Sequence, residues 1–287
     1  RNDLPHLQIN DAHCRCFCVE CIESRGDLTT GVHRRGRFPY VLPAGFAKVA
    51  LRLSKVQVDN LRTWAPAFHG TTVESSKKIL SAENGHYLLL NPGDKLSDGT
   101  PLGVRKGHIT IGFNRTNAHA KQREHFDATD KVFMSPSIRY ATHPAYSPPS
   151  GEKVKFQVAD SADPRHDVPV AARVKVALDI RLHPGPPDEG PGFGIGQETV
   201  GAKASRIDPV LPNECLEYYT NRRQVHFIAA LMVRIVSVEG QKFQNLVMEV
   251  PNVSVYRSPQ TVLLPPIGYI EEPREQEPGL IEEPREQ

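Results

Sequence analysis

Apolar positions in this chain come mostly in short runs, alternating or continuous, closed by Gly, Pro, Asn or Asp. That pattern is the mark of strands and turns rather than of long helices. The first run, Phe46-Ala47-Lys48-Val49-Ala50-Leu51-Arg52-Leu53, predicts a strand over 46–53. An aromatic-rich strand follows, Trp64-Ala65-Pro66-Ala67-Phe68, and ends in His69-Gly70-Thr71-Thr72. Lys131-Val132-Phe133-Met134 predicts another short strand, and beyond residue 150 strands are expected at 154–158, 170–178, 216–220, 225–238 and 246–255. Residues 216–220, the turn Asn221-Arg222-Arg223 and residues 224–233 read as an antiparallel pair. The second member is apolar at nearly every position and belongs in the middle of a sheet, buried on both faces.

Helical signals are brief. Thr71 and Glu74 have capping-box spacing, which predicts a helix over 73–82 ended by Asn84-Gly85. Ser135 reads as an N-cap and Pro136 as the first helical position, while His143-Pro144 stops the helix. Tyr140 is thereby held on a defined face, where covering the core is the plain role of its ring. Asn91-Pro92-Gly93-Asp94 and Ser97-Asp98-Gly99-Thr100 are turn chemistry around a loop that could overhang a site. The Pro- and Gly-dense stretch 183–196 reads as a linker or mobile flap.

Composition narrows the class. The 287 residues suffice for one large domain or two, and 39% hydrophobic content suits a globular chain. No apolar run approaches the roughly 20 residues of a membrane-crossing helix, so no membrane role is expected. The opening Arg1-Asn2-Asp3-Leu4 is neither an initiator Met nor a signal peptide, and predicts a fragment of a longer product. Net charge is +2, but the seven Glu and two Arg of residues 271–287 leave +7 on residues 1–270. The heptad Ile270-Glu271-Glu272-Pro273-Arg274-Glu275-Gln276 recurs at 281–287, acidic and broken by Pro. The organisation expected is a Cys- and Arg-rich segment over 1–40 packed on the domain, a body over 41–265, and a disordered tail over 266–287.

Four of the five cysteines crowd into Cys14-x-Cys16-x-Cys18-x-x-Cys21. So tight a cluster cannot cross-link distant parts of a fold, and a reducing, intracellular, cytoplasmic setting is expected. Cys16, Cys18 and Cys21, with His13 or His33 near, are candidates for part of a zinc site; free thiols are the other reading.

His69-Gly70-Thr71 after one strand, Phe133 to Tyr140 as strand then short helix, and Glu214 or Glu217 opening a late strand form an ordered series. That order, on a β-rich chain, resembles the ADP-ribosyltransferases of the diphtheria-toxin and poly(ADP-ribose) polymerase type. More closely, Arg25-Gly26-Asp27, Tyr40-Val41-Leu42-Pro43-Ala44-Gly45, Phe68-His69-Gly70-Thr71, Ser135-Pro136-Ser137-Ile138-x-Tyr140-Ala141 and Leu216-Glu217-Tyr218-Tyr219-Thr220 look like the C-terminal domain of Neuralized-like proteins. The resemblance runs over roughly residues 12–240. It implies an α+β fold: a split β-sandwich of mostly antiparallel strands with a few short helices around an NAD cleft.

Cleavage of the nicotinamide glycosidic bond passes through an oxocarbenium-like ribose, which a neighbouring carboxylate stabilises while aligning the nucleophile. By resemblance, His69 hydrogen-bonds the adenosine ribose, Gly70 holds the nicotinamide carboxamide through its backbone, and Tyr140 stacks on the nicotinamide. Thr71, Phe133 and Ser135 complete the cofactor-binding set. Phe133 stands where a second aromatic, commonly Tyr, occurs. Glu217 is the first choice for the catalytic carboxylate and Glu214 the alternative; on a regular strand the two would face opposite ways. Gln197-Glu198-Thr199-Val200-Gly201 is a further rim element.

The expected activity is NAD-dependent transfer of ADP-ribose, in single units, to an acceptor macromolecule. Protein is the first acceptor to consider. Nucleic acid, through His33, Arg34, Arg35 and Arg37, is the second. Plain NAD hydrolysis and a non-catalytic module that keeps the fold are the rival readings. Gly190-Pro191-Gly192-Phe193-Gly194-Ile195-Gly196 lacks the strand-then-helix context of a phosphate loop, which argues against hydride transfer and nucleotide hydrolysis.

Overall fold

The computed structural model describes residues 7–27, 31–35, 37–81, 87, 89–95, 99–103, 130–150, 154–160, 163–185, 192–200, 206–238, 246–250 and 253–256. The features expected at Asn84-Gly85, Ser97-Asp98, Gly201, 104–129 and 266–287 lie outside them.

The chain runs through β1 (Arg15–Cys16), α1 (Val19–Ser24), β2 (His33–Arg35), β3 (Phe38–Tyr40), β4 (Ala47–Ala50), α2 (Lys55–Asn60), β5 (Ala65–Thr71) and α3 (Val73–Leu80). It continues through β6 (Val132–Met134), α4 (Ile138–Ala141), β7 (Val154–Asp160), β8 (Asp163–Leu182), β9 (Gly194–Gly196), β10 (Glu217–Thr220), β11 (His226–Val238), β12 (Leu246–Val250) and β13 (Val253–Tyr256). The architecture is mixed α and β, with antiparallel sheets and a few short helices, and it is not a closed barrel.

The larger sheet has the order β1-β4-β11-β8-β7-β12-β13, and β5 pairs the C-terminal half of β8. A second sheet has the order β6-β10-β9. The two sheets touch where Phe68 and Ser135 exchange backbone hydrogen bonds of 2.7 and 2.9 Å. Period-two alternation decides what each face buries. Leu178, Ile180 and Leu182 of β8 and Ala65 and Ala67 of β5 meet Val132, Met134 and Tyr218 of the second sheet in one core. On the opposite face Phe68 and Ala177 pack with Phe17, Ile22, Phe46, Ile138 and Met232. Residues 9–27 therefore form a layer on the larger sheet, with β1 extending it beside β4.

Several local expectations shift, each because tertiary contact claims a backbone group. Residues 216–220 and 225–238 do not form a hairpin: β10 joins β6 and β9, while β11 lies between β4 and β8. A 3-10 turn at Arg223–Val225 carries the chain from one sheet to the other. β11 does sit centrally, as its apolar run predicts. Residues 246–255 divide into two paired strands, β12 and β13. The N-cap of α3 is Thr72, which accepts from Ser75 N–H, because Thr71 still pairs with Val176 at the end of β5. Likewise Ser137, not Ser135, caps α4; Ser135 is held extended by Phe68, and the Pro136 carbonyl accepts from Val41 N–H. Part of the stretch 183–196 is ordered structure, with Phe193 buried and 194–196 forming β9. An unpredicted helix, α2, carries a full capping box between Ser54 and Gln57, a signal legible in the sequence.

Candidate active site

β5 supplies three of the predicted residues, His69, Gly70 and Thr71, from one short stretch. Because Phe68 gives both backbone groups to Ser135, alternation turns the Gly70 N–H and C=O to the same edge, away from β8. A Cβ at Gly70 would lie 1.6 Å from the Ala141 carbonyl oxygen, so only glycine lets the end of α4 close on β5. The Tyr146 side chain packs on the same spot, 3.3 Å from that position.

His69 is partly exposed and its Nδ1 lies 2.8 Å from the Phe133 carbonyl oxygen. A carbonyl only accepts, so Nδ1 carries the proton and Nε2 is left as an acceptor. The ring is thus arranged to accept from a ligand hydroxyl through Nε2. Burial, opposed by that carbonyl and aided by the nearby His226, lowers its pKa and keeps it neutral. Phe133 itself lies across from Tyr219 in the β6–β10 register, ring centroids 6.1 Å apart. Tyr219 and Glu217 share a face of β10 by alternation. Gly194 and Gly196 lie under the Tyr219 ring; a Cβ at Gly194 would meet it at 2.2 Å.

Tyr140 is 3% exposed, in a pocket with Val41, Leu211 and Leu216. Its hydroxyl is the start of a chain of polar contacts. Thr199 N–H donates to Tyr140 Oη at 2.8 Å, and the Tyr140 and Tyr146 hydroxyls are 2.7 Å apart. Tyr146 Oη and Thr199 Oγ1 are 2.9 Å apart, and Thr199 Oγ1 donates to Glu217 Oε1 at 3.3 Å. An ionised carboxylate only accepts, so one ordering uses each hydroxyl hydrogen once: Tyr140 donates to Tyr146, Tyr146 to Thr199, and Thr199 to Glu217. Burial first, then the Glu217 charge, pushes both phenols up, which keeps them protonated donors.

Glu217 opens β10 and is 5% exposed, whereas Glu214 lies on an exposed 3-10 turn at Asn213–Cys215. The structure therefore brings Glu217, and not Glu214, to Tyr140. Glu198 and Thr199 of the predicted rim element are buried beside it. Thr71 is buried at the end of β5, and Ser135 Oγ accepts from Ser137 N–H at 3.0 Å. His69, Gly70, Phe133, Tyr140 and Glu217 are thus linked through short steps: Gly70 to Tyr146, Tyr146 to Tyr140 and Thr199, Thr199 to Glu217, and Phe133 to His69.

Sequence reasoning missed Tyr146, Ser137 and Asp208. Ser137 Oγ donates to the buried Asp208 at 2.5 Å while accepting from Tyr140 N–H at 3.3 Å. Asp208 also accepts from Val210 and Leu211 N–H at 2.9 and 3.0 Å. These bonds tie α4, and so Tyr140, to the loop that leads into β10. The Ser137-x-x-Tyr140 spacing is a capping signal that could have found Ser137; nothing local marks Asp208 or Tyr146.

The thiols form a separate group. Cys16, Cys18 and Cys21 present Sγ atoms all within 4.8 Å of one another. His13 and His33 are not part of this cluster. Among the described residues no helix is long and apolar enough to cross a membrane. No protein-family model matches the chain, and a search of curated proteins finds no matching relative.

Proposed function

We propose that this chain is an NAD-dependent ADP-ribosyltransferase built on a split β-sandwich, and that it transfers single ADP-ribose units to a protein acceptor. The observation that carries the reading is the convergence of a neutral imidazole, a glycine backbone edge turned away from β8, two phenols and one buried carboxylate from residues 69 to 217. In this reading His69 Nε2 accepts from a ribose hydroxyl and the Gly70 backbone holds the carboxamide. Tyr140 and Tyr146 border the nicotinamide. Glu217 faces the ribose and stabilises the positive charge that grows on it as the glycosidic bond breaks. The bond from ribose C1 to nicotinamide breaks with its electron pair leaving on nicotinamide. A bond from C1 to the acceptor forms, and the acceptor's proton goes to solvent.

One observation favours a second reading, an interaction module without turnover. Tyr146 packs edge-on against Tyr140, ring centroids 5.2 Å apart, and against Gly70, so it covers the surface on which a flat ring would stack. Incubation with NAD labelled separately in nicotinamide and adenosine separates the two. Transferase activity releases nicotinamide and leaves adenosine label on protein; hydrolysis leaves it on free ADP-ribose. An absence of nicotinamide release together with an absence of NAD binding by calorimetry establishes the module.

A further inference from the structure

We propose that Cys16, Cys18 and Cys21 bind one zinc(II) ion that fastens the N-terminal layer to the larger sheet. The inference is independent of any NAD chemistry.

Three thiols from six consecutive residues place their sulfurs within 4.8 Å of one another. Tetrahedral zinc with bonds of about 2.3 Å needs sulfurs about 3.8 Å apart, so closing on the ion takes shifts of an ångström or less. Backbone N–H groups already point at the sulfurs: Cys18 N–H donates to Cys16 Sγ at 3.3 Å and Cys21 N–H to Cys18 Sγ at 3.4 Å. Such donors stabilise thiolates in the outer shell of a metal site. Three thiolates leave the fourth position of a tetrahedral ion to water. Cys14 is engaged elsewhere, accepting from Ala50 N–H at 3.3 Å and facing the Asn10 carbonyl at 3.6 Å, so it serves as an internal control.

The frame around the thiols is rigid. Phe17 N–H donates to the Phe46 carbonyl at 2.9 Å, and Gly45 N–H donates to the Phe17 carbonyl at 2.7 Å. Arg25, paired with Asp27, donates to the Cys16 carbonyl at 3.0 Å, and its guanidinium lies over the Phe17 ring at 5.4 Å. A soft thiolate set suits zinc better than a hard cation. On binding, three S–H bonds give their protons to solvent and three Zn–S bonds form; no oxidant or reductant takes part. Because Phe17 and Ile22 pack against Phe68, Ile138 and Ala141, the ion would brace the back of β5 and α4.

The test uses the whole chain purified under reducing conditions. Metal analysis is expected to return about one zinc per chain, retained by Cys14→Ser and lost in Cys18→Ser. Cobalt(II) added to zinc-stripped protein is expected to give a thiolate-to-cobalt charge-transfer band and the strong visible bands of a tetrahedral ion. Should Cys18→Ser fail to fold, the cobalt titration of the parent still decides. Zinc no higher than the buffer blank together with no cobalt band overturns the proposal, as does equal zinc retention by Cys18→Ser.

Discussion

Asp179 of β8 and Glu217 of β10 are 4% and 5% exposed, and their surroundings differ in kind. Asp179 meets two cations: Lys48 Nζ at 3.0 Å and the Arg181 guanidinium, whose Nη1 bonds Oδ1 and whose Nη2 lies 3.2 Å from Oδ2. Burial opposes its charge, but Arg181 and Lys48 outweigh that and hold the carboxyl below its usual range. Glu217 accepts from a threonine hydroxyl backed by two tyrosines. The first arrangement neutralises a charge inside the fold. The second sets hydroxyl dipoles against a carboxylate, an arrangement suited to a group that is to meet a cationic transition state.

The contrast can be broken at either carboxylate. Asp179→Ala leaves Arg181 and Lys48 without their anion and is expected to lower unfolding stability by about 3–5 kcal/mol, measured by urea denaturation. A loss under about 1 kcal/mol would place Asp179 with ordinary surface pairs. Glu217→Gln keeps shape and most contacts. It is expected to cut nicotinamide release by about 10²–10³ with little change in the urea midpoint. Glu214→Gln, on its exposed turn, is expected to leave that rate unaltered. If both Glu variants match the parent, the carboxylate is misassigned.

Gly70→Ala sharpens the comparison from the other wall of the site. The new methyl would overlap the Ala141 carbonyl at 1.6 Å, an overpacking that costs about 1–3 kcal/mol and is expected to weaken NAD binding by calorimetry as well. Acid titration separates the two regions further. His69 and His226 are held neutral by burial, so their folded pKa values lie below the unfolded value of about 6.5. The unfolded chain then binds more protons as pH falls through about 6.5, and stability declines from there until the folded imidazoles protonate. Asp179 adds its own loss only at lower pH, as its carboxyl protonates below the usual range. Thermal midpoints that stay flat between pH 7.5 and 5.5 would contradict the neutral, partnered His69. The smallest effect is expected from Thr199→Val. It removes one hydroxyl from the chain to Glu217 at about 1 kcal/mol, read as a modest fall in nicotinamide release with the fold intact.

What the sequence determined by itself is local. Runs such as 225–238 and 131–134 announce strands because alternation and β-branching are properties of a few neighbouring residues. Candidate chemistry at His69, Gly70, Tyr140 and Glu217 was proposed from a resemblance carried by short motifs around them, each at a strand or helix boundary. Tertiary structure decided the rest. Whether 216–220 pairs with its neighbour in sequence or with β6 depends on which core Tyr218 can enter. Whether Ser135 or Ser137 caps α4 depends on Phe68 taking the Ser135 backbone. Glu217 was separated from Glu214 only by the start of β10, which puts one carboxylate inside and leaves the other in water. The contacts of Tyr146, Thr199 and Asp208 with Tyr140 and Ser137 span 6 to 71 residues, and no short window of sequence carries the longer of them, because backbone and hydroxyl groups find their partners only after the two sheets have met.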